Sequence, residues 1–223
     1  MLKTVQVTDG TQAGDMTAVA PAARRYHLQR VLDWMVLIVA APMVVPLGAL
    51  IALGVALSSR GPVFFTQERI GLGAEPFRVY KFRTMVDGDN PLVPDPTRIT
   101  KVGALLRRLS LDELPQLLNV GRGEMSIVGP RPTVASQVER YDARQRGRLL
   151  TRPGLTGLAQ VTGRNAIPWS ERIEIDLAYV ARWSMRRDLA ILARTALVVV
   201  RREGTYKGPR GGFDLPPPGA PDG

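Results

Sequence analysis

Val31-Leu32-Asp33-Trp34-Met35-Val36-Leu37-Ile38-Val39-Ala40-Ala41-Pro42-Met43-Val44-Val45-Pro46-Leu47-Gly48-Ala49-Leu50-Ile51-Ala52-Leu53-Gly54-Val55-Ala56-Leu57 is almost wholly apolar, and residues 34–57 carry no charge. A helix needs about 20 apolar residues to span a bilayer, so this stretch is long enough to be membrane-embedded. A cleavable secretory signal has a shorter apolar core, of about 7 to 15 residues, and would not hold an acid such as Asp33. Pro42 and Pro46 interrupt the run near its middle. Each removes a backbone donor and clashes with the carbonyl four residues back, so a kink or break is expected there. Arg24, Arg25 and Arg30 precede the run and Arg60 and Arg69 follow it, so the positive-inside rule does not assign opposite faces to its ends. A re-entrant helix over residues 23–58 with both ends cytoplasmic answers this pattern better than its rival, a kinked spanning helix.

Composition narrows the chemistry. The 223 residues are 45% apolar and 22% charged, enough for one globular domain with appendages. Without cysteine there are no disulfides or thiolate metal sites, and the single His27 lies before the apolar run, so catalysis falls to carboxylates, Arg, Lys, Ser or Tyr. A formal charge of +10 and a pI near 10.7 ask for an anionic partner. The arginines flank hydrophobic runs (Arg24, Arg25, Arg30 and Arg60; Arg186, Arg187, Arg201 and Arg202), which suits anionic membrane lipids. No nucleic-acid fingerprint is present, and no nucleic-acid partner is expected.

Outward from the apolar run, residues 1–22 lack periodicity and read as a disordered leader. Alternating residues on either side of a turn at 71–76 predict two short strands. Residues 99–120 read as two amphipathic helical pieces with Val102, Leu105, Leu106 and Leu109 on one stripe, placed in the core or at the membrane interface. A polar helix is expected over 133–149, helical spacing resumes over 169–202, and the Gly/Pro-rich residues 208–223 read as a disordered tail. The expected fold class is α+β: a membrane-embedded re-entrant helix, amphipathic interfacial helices and a small cytoplasmic catalytic domain, 59–207, with short strands.

The acidic chemistry sits at Asp112-Glu113, adjacent carboxylates that follow Arg107 and Arg108 in an apolar surround. On a helix such neighbours point about 100° apart, which suits two jobs. An Asp can attack phosphorus covalently and a Glu can hold Mg2+; a solvated surface pair is the ordinary alternative. In Gly129-Pro130-Arg131-Pro132 the prolines enforce an extended turn that holds Arg131 on a stiff backbone, suited to a bidentate phosphate contact or to clamping a loop carbonyl. Arg69, Lys81 and Arg83 on the predicted strands could face a phosphate or simply be solvated. Gly154, Gly157 and Gly163 allow close backbone approach to a ligand, though this is no P-loop, because its Lys-Ser/Thr is missing.

Several ordered blocks carry a resemblance: Arg30-Val31-Leu32-Asp33, Gly61-Pro62-Val63-Phe64-Phe65-Thr66-Gln67, Tyr80-Lys81-Phe82-Arg83-Thr84-Met85, Asp112-Glu113, Gly129-Pro130-Arg131-Pro132, Arg152-Pro153-Gly154-Leu155-Thr156-Gly157 and Gly163-Arg164-Asn165. Over residues 25–207 the chain resembles a minimal catalytic form of the monotopic bacterial polyprenyl-phosphate sugar-1-phosphate transferases, which initiate exopolysaccharide, capsule or glycan assembly. The resemblance implies transfer of a sugar-1-phosphate from a UDP-sugar to polyprenyl (undecaprenyl) phosphate with release of UMP, on the cytoplasmic face of the cell membrane. It implies Asp112 as covalent nucleophile and Glu113 as Mg2+ ligand. Arg107, Arg131, Lys81 and Arg83 are expected at substrate phosphates, and Arg164, Asp176 and Gly154 at the nucleotide or sugar. The family's Ser-Pro helix break is Val45-Pro46 here, with Pro42 as an additional breaker. Homo-oligomerisation is left open, and a membrane-tethered scaffold without chemistry is the alternative, separable by Asp112-dependent UMP release.

Overall fold

The computed structural model describes residues 19–86, 96–163, 167–201 and 214–215. The expectations for residues 1–18, for Arg164 and for most of the tail lie outside the described residues. Helix α1, Val19–Ser58, contains the apolar run and remains helical through Pro42 and Pro46, so the expected break is not a loss of helix. The reason is local. Each proline costs one backbone hydrogen bond, accepted by Ile38 and by Pro42, and these lie four residues apart on nearly the same side of the helix, leaving the other bonds intact.

Two arms of α1 dock on the domain. In the N-terminal arm Gln29, Leu32 and Asp33 are buried. Asp33 accepts from Ser126 Oγ and the Ile127 amide, both at 2.8 Å, and Arg30 donates to the carbonyls of Val120 (2.6 Å) and Gly121 (3.0 Å). In the C-terminal arm Ile51 and Val55 form a core cluster with Phe82 and Leu106. The other face stays apolar and exposed, Val39 at 81% and Leu57 at 79%. So much contiguous exposed apolar surface is foreign to a soluble monomer. Its stretch Arg25–Ser58 is long and apolar enough to cross a membrane, and α1 is a membrane-associated element.

The predicted hairpin is present: β1, Phe64–Ile70, pairs antiparallel with β2, Pro76–Phe82, in the register Phe64 to Phe82 and Arg69 to Phe77. The first amphipathic piece is α2, Lys101–Leu109, capped by the Thr100 side chain and burying Leu106 while Leu105 points outward. The 3₁₀ turn Leu111–Gln116 and α3, Leu117–Arg122, complete that region. A second, parallel sheet of β3, Ser126–Val128, and β4, Gly154–Thr156, had no sequence signal, because three-residue strands are too short to show a period.

The polar helix expected over 133–149 does not form. Only α4, Ala135–Val138, and a 3₁₀ turn, Gln145–Leu150, are helical. Asp142 and Gln145 bond reciprocally, the Asp142 carboxylate accepting from the Gln145 amide (2.6 Å) and the Gln145 side chain accepting from the Asp142 amide (3.2 Å). That capping box starts a new turn after α4 has ended.

After α5, Leu158–Thr162, the last helical stretch divides into α6, Trp169–Ala181, and α7, Met185–Arg201. Buried Asp188 in α7 accepts from Tyr179 Oη (2.7 Å), Trp183 Nε1 (2.8 Å) and Gln29 Nε2 (3.3 Å), tying α6 and α7 to α1. The main core joins Val79, Val120, Met125, Ile127, Val128, Tyr179 and Ile191 from both sheets and α3, α6 and α7. Two residues of the tail expected to lack order are docked: Leu215 is buried with Trp169 and Ile173, and Asp214 accepts from the Ser170 amide and hydroxyl at the start of α6.

Gly154 was expected to approach a ligand, and the structure gives it a different neighbour. A Cβ there would overlap the backbone nitrogen of Gly129, and one on Gly157 would overlap the Gly129 carbonyl. These glycines let β4 lie against the backbone that leads into Arg131. Backbone cannot move aside as a side-chain tip can, so Gly154→Ala is expected to destabilise the protein by about 1–3 kcal/mol or more. A melting temperature equal to wild type would rule out this packing role.

Candidate active site

The acid pair stands on the 3₁₀ turn and not on an α-helix. Ser110, with φ 56°, ends α2 in the left-handed region and throws the chain into that turn. Successive residues of a 3₁₀ turn lie about 120° apart, so the carboxylates still diverge. Glu113 turns to β2 and the Gly129-Pro130-Arg131-Pro132 loop: Lys81 Nζ is 2.6 Å from its Oε1, and Arg131 grips it with Nη2 at 2.6 Å and Nη1 at 3.3 Å. Burial alone would raise the Glu113 pKa, but Arg131 and Lys81 overcome it and hold the carboxylate far below its usual range. Glu113 is charged at any physiological pH.

Asp112 makes no hydrogen bond among the described residues and lines a cavity of about 870 Å³. Burial first, then the neighbouring charge of Glu113, raises its pKa, against Lys81, Arg107 and Arg131. A carboxylate with undonated lone pairs, partly stripped of water and faced by three cations is equipped to attack an electron-poor atom of an anionic substrate.

Arg107 is positioned by a hydrogen bond from its Nε to Thr84 Oγ1 at 2.8 Å. Close packing brings this about, for a Cβ on Gly103 would overlap the Thr84 carbonyl. Arg69 stands behind Arg131; burial and the Arg131 charge lower its pKa to about 10, despite Glu113, and it remains a cation. Arg83 is buried and donates to the carbonyls of Arg60 and Ser59, both at 2.7 Å, and to Ser59 Oγ at 3.1 Å. Its charge closes the C-terminal end of α1, where carbonyls lack partners, and the residue also lines the cavity.

Asp176, expected at the nucleotide or sugar, is buried in an ion pair with Arg148 at 2.6 Å. Arg148 also donates to Tyr141 Oη (2.6 Å) and to the Arg131 carbonyl (3.1 Å), so the pair supports the loop that presents Arg131. Asp176 and Tyr141 keep Arg148 charged against burial. Sequence reasoning missed Arg148 and Arg172. The signal for this wall was available as Trp169, Arg172, Ile173 and Asp176, a helical stripe at i, i+3, i+4 and i+7 that puts charges on a buried face.

The cavity has two characters. Its lining includes the charged side chains of Lys81, Arg107, Asp112, Glu113 and Arg131, and the apolar ones of Val36 of α1, Leu117 of α3, Ile127 of β3, and Leu192 and Val198 of α7. Charge for an anion and apolar wall for a chain meet in one space, beside the membrane-associated helix.

The family model of the bacterial sugar transferase matches residues 24–202. Exopolysaccharide production protein ExoY of Rhizobium meliloti (strain 1021) is 43% identical over 199 residues, 80% of this chain and 88% of that protein. The UDP-glucose:undecaprenyl-phosphate glucose-1-phosphate transferase of Caulobacter vibrioides is 42% identical over 191 residues, 80% of this chain and 72% of the relative. The undecaprenyl-phosphate galactose phosphotransferase of Salmonella typhimurium is 40% identical over 193 residues, 77% of this chain and 39% of that longer protein.

Proposed function

The chain belongs to the bacterial sugar transferase family, a family of transferase enzymes, and from that premise we propose that it transfers a sugar-1-phosphate from a UDP-sugar to polyprenyl phosphate, releasing UMP. One observation carries the reading: of two adjacent carboxylates, Glu113 is gripped by Lys81 and Arg131 while Asp112 faces the cavity unbonded. Asp112 Oδ attacks the β-phosphorus, the α–β bridging P–O bond breaks, and its electron pair leaves on UMP. An oxygen of the lipid phosphate then bonds to the same phosphorus and displaces Asp112. Arg131, Lys81 and Arg107 offset the charge of the approaching anions.

Mg2+ fits the donor set. A hard carboxylate oxygen of Glu113 suits it, and Glu113 Oε2 has lone pairs to spare, its one hydrogen bond among the described residues being from Arg131 at 3.3 Å. Mg2+ commonly takes one or two carboxylates and completes its shell with substrate phosphate and water. Bound there it would supply further neutralisation of phosphate charge. The remaining work belongs to the chain: Lys81 and Arg131 orient Glu113, and Thr84 orients Arg107.

UMP release measured against a panel of UDP-sugars, with polyprenyl phosphate in detergent, tests the reading. Lipid-dependent UMP from at least one sugar is expected, and none from any would end it. Arg131→Lys keeps the charge and loses the fork that grips Glu113, so activity should fall roughly ten- to a hundredfold with little change in melting temperature. Equal loss of activity and stability would make Arg131 a fold clamp.

The topology proposed is a helix that enters and leaves the cytoplasmic leaflet. Supporting it, both arms of α1 dock on one small domain, and the prolines lie between the docked segments. In a chain without cysteine, Thr17→Cys and Thr205→Cys are single reporters. Both should resist an impermeant maleimide in intact cells and react after lysis, and replacing Pro42 and Pro46 with Leu should push Thr17→Cys toward outside labelling. External labelling of Thr17→Cys with both prolines present would mean that the helix spans.

A further inference from the structure

Arg172 lines the cavity from α6, a different wall from the one that carries Asp112. Its guanidinium is held on two sides. Nε and Nη2 both donate to the Ile167 carbonyl at 3.1 Å, and the group lies 5.4 Å from the centre of the Trp169 ring, as does the guanidinium of Arg148. Nη1 has no hydrogen bond among the described residues. The charges around it are two cations, Arg131 and Arg148, and two carboxylates that are already engaged, Asp176 with Arg148 and Asp214 with Ser170. A fixed cation with a spare donor, among other cations and beside a cavity, is built for an anion.

Displacement at phosphorus is in line, so the departing oxygen lies opposite the attacking one. Arg131 links the two walls: its guanidinium grips Glu113, and its carbonyl accepts from Arg148, which is paired with Asp176 of α6. A phosphorus held before Asp112 at Arg131 therefore has its leaving group on the α6 side. The second displacement must break the Asp112–phosphorus bond from that same side. The entering lipid phosphate thus takes the place that UMP vacated, and both are phosphate monoesters.

We propose that Arg172 marks a single phosphate-monoester subsite, occupied first by the phosphate of departing UMP and then by the polyprenyl phosphate. The inference rests on the double displacement above and adds that leaving group and acceptor share one site. UMP should therefore compete with the lipid phosphate and not only with the UDP-sugar.

Two arms test it on the full-length protein in detergent. In the first, UMP binding is titrated in the Asp112→Asn background, where no turnover intervenes. Adding Arg172→Ala should weaken UMP roughly ten- to a hundredfold, and Arg172→Lys should recover part of the loss. In the second, the KM for polyprenyl phosphate should rise by a similar factor in Arg172→Ala and recover partly in Arg172→Lys. A UMP affinity within twofold of the background overturns the subsite. Weakened UMP binding with an unmoved lipid KM overturns its being shared. A fall in melting temperature alike in both variants, with UMP affinity unchanged, would instead assign Arg172 to holding Trp169. Were Asp112→Asn still active, the double displacement would fail, while the UMP arm would still report on Arg172.

Discussion

Asp112→Asn is expected to lower turnover by roughly a thousandfold or more, and to abolish the sugar-phosphate adduct that wild type forms with UDP-sugar when no lipid is present. The amide is nearly isosteric and keeps the turn, but it offers no anionic lone pair to phosphorus. Folding should be untouched, because Asp112 makes no hydrogen bond among the described residues. An adduct that survives in this variant, seen by intact-protein mass spectrometry, would remove Asp112 from the role. The same residue sets an acid limb. Burial and Glu113 raise the Asp112 pKa, and only the deprotonated form attacks. Activity present at neutral pH should therefore be lost, as pH falls, above the ordinary aspartate range.

The second large effect is on stability, at Arg148. The Arg148–Asp176 pair is 2% exposed on both sides. Removing one partner of a buried pair leaves an uncompensated charge, which costs about 3–5 kcal/mol. Arg148→Met should therefore lower the melting temperature by roughly 6–20 °C in a chain of this size. Replacing both, Arg148→Met with Asp176→Leu, should restore much of it, since no charge is then stranded. Activity should not return with stability, because the Arg131 carbonyl would still lack the donor that holds its loop. If the single change costs less than a degree, the pair is not what braces that wall.

The hairpin was legible because strands of seven residues with a short turn carry an alternating pattern that local sterics enforce. Asp112, Glu113, Lys81, Arg107 and Arg131 were legible as chemistry because they sit in contiguous motifs. The bonds of Arg83 to the end of α1 were not legible, for a physical reason: a cation on a predicted strand has the same local sequence whether it meets a phosphate, the end of a distant helix or both. The neighbour of Gly154, the Gly129 backbone, was not legible either, for close approach says nothing about what approaches.

By itself the sequence determined the local choices: an apolar helix long enough for a bilayer, two paired strands, a stiff turn behind Arg131, and a divergent acid pair. Each depends on a run of neighbours and on dihedral or hydrophobic periodicity that neighbours impose. Tertiary structure alone decided which carboxylate is bound and which is free. Glu113 is held by Lys81, 32 positions away, and Arg131, 18 positions away, and Asp112 is left to the cavity. It decided too that Arg148 and Asp176 support a loop and that Arg172 shares its wall. Ion pairs and burial depend on distance in space, and no local pattern encodes which distant side chain will fill a given vacancy.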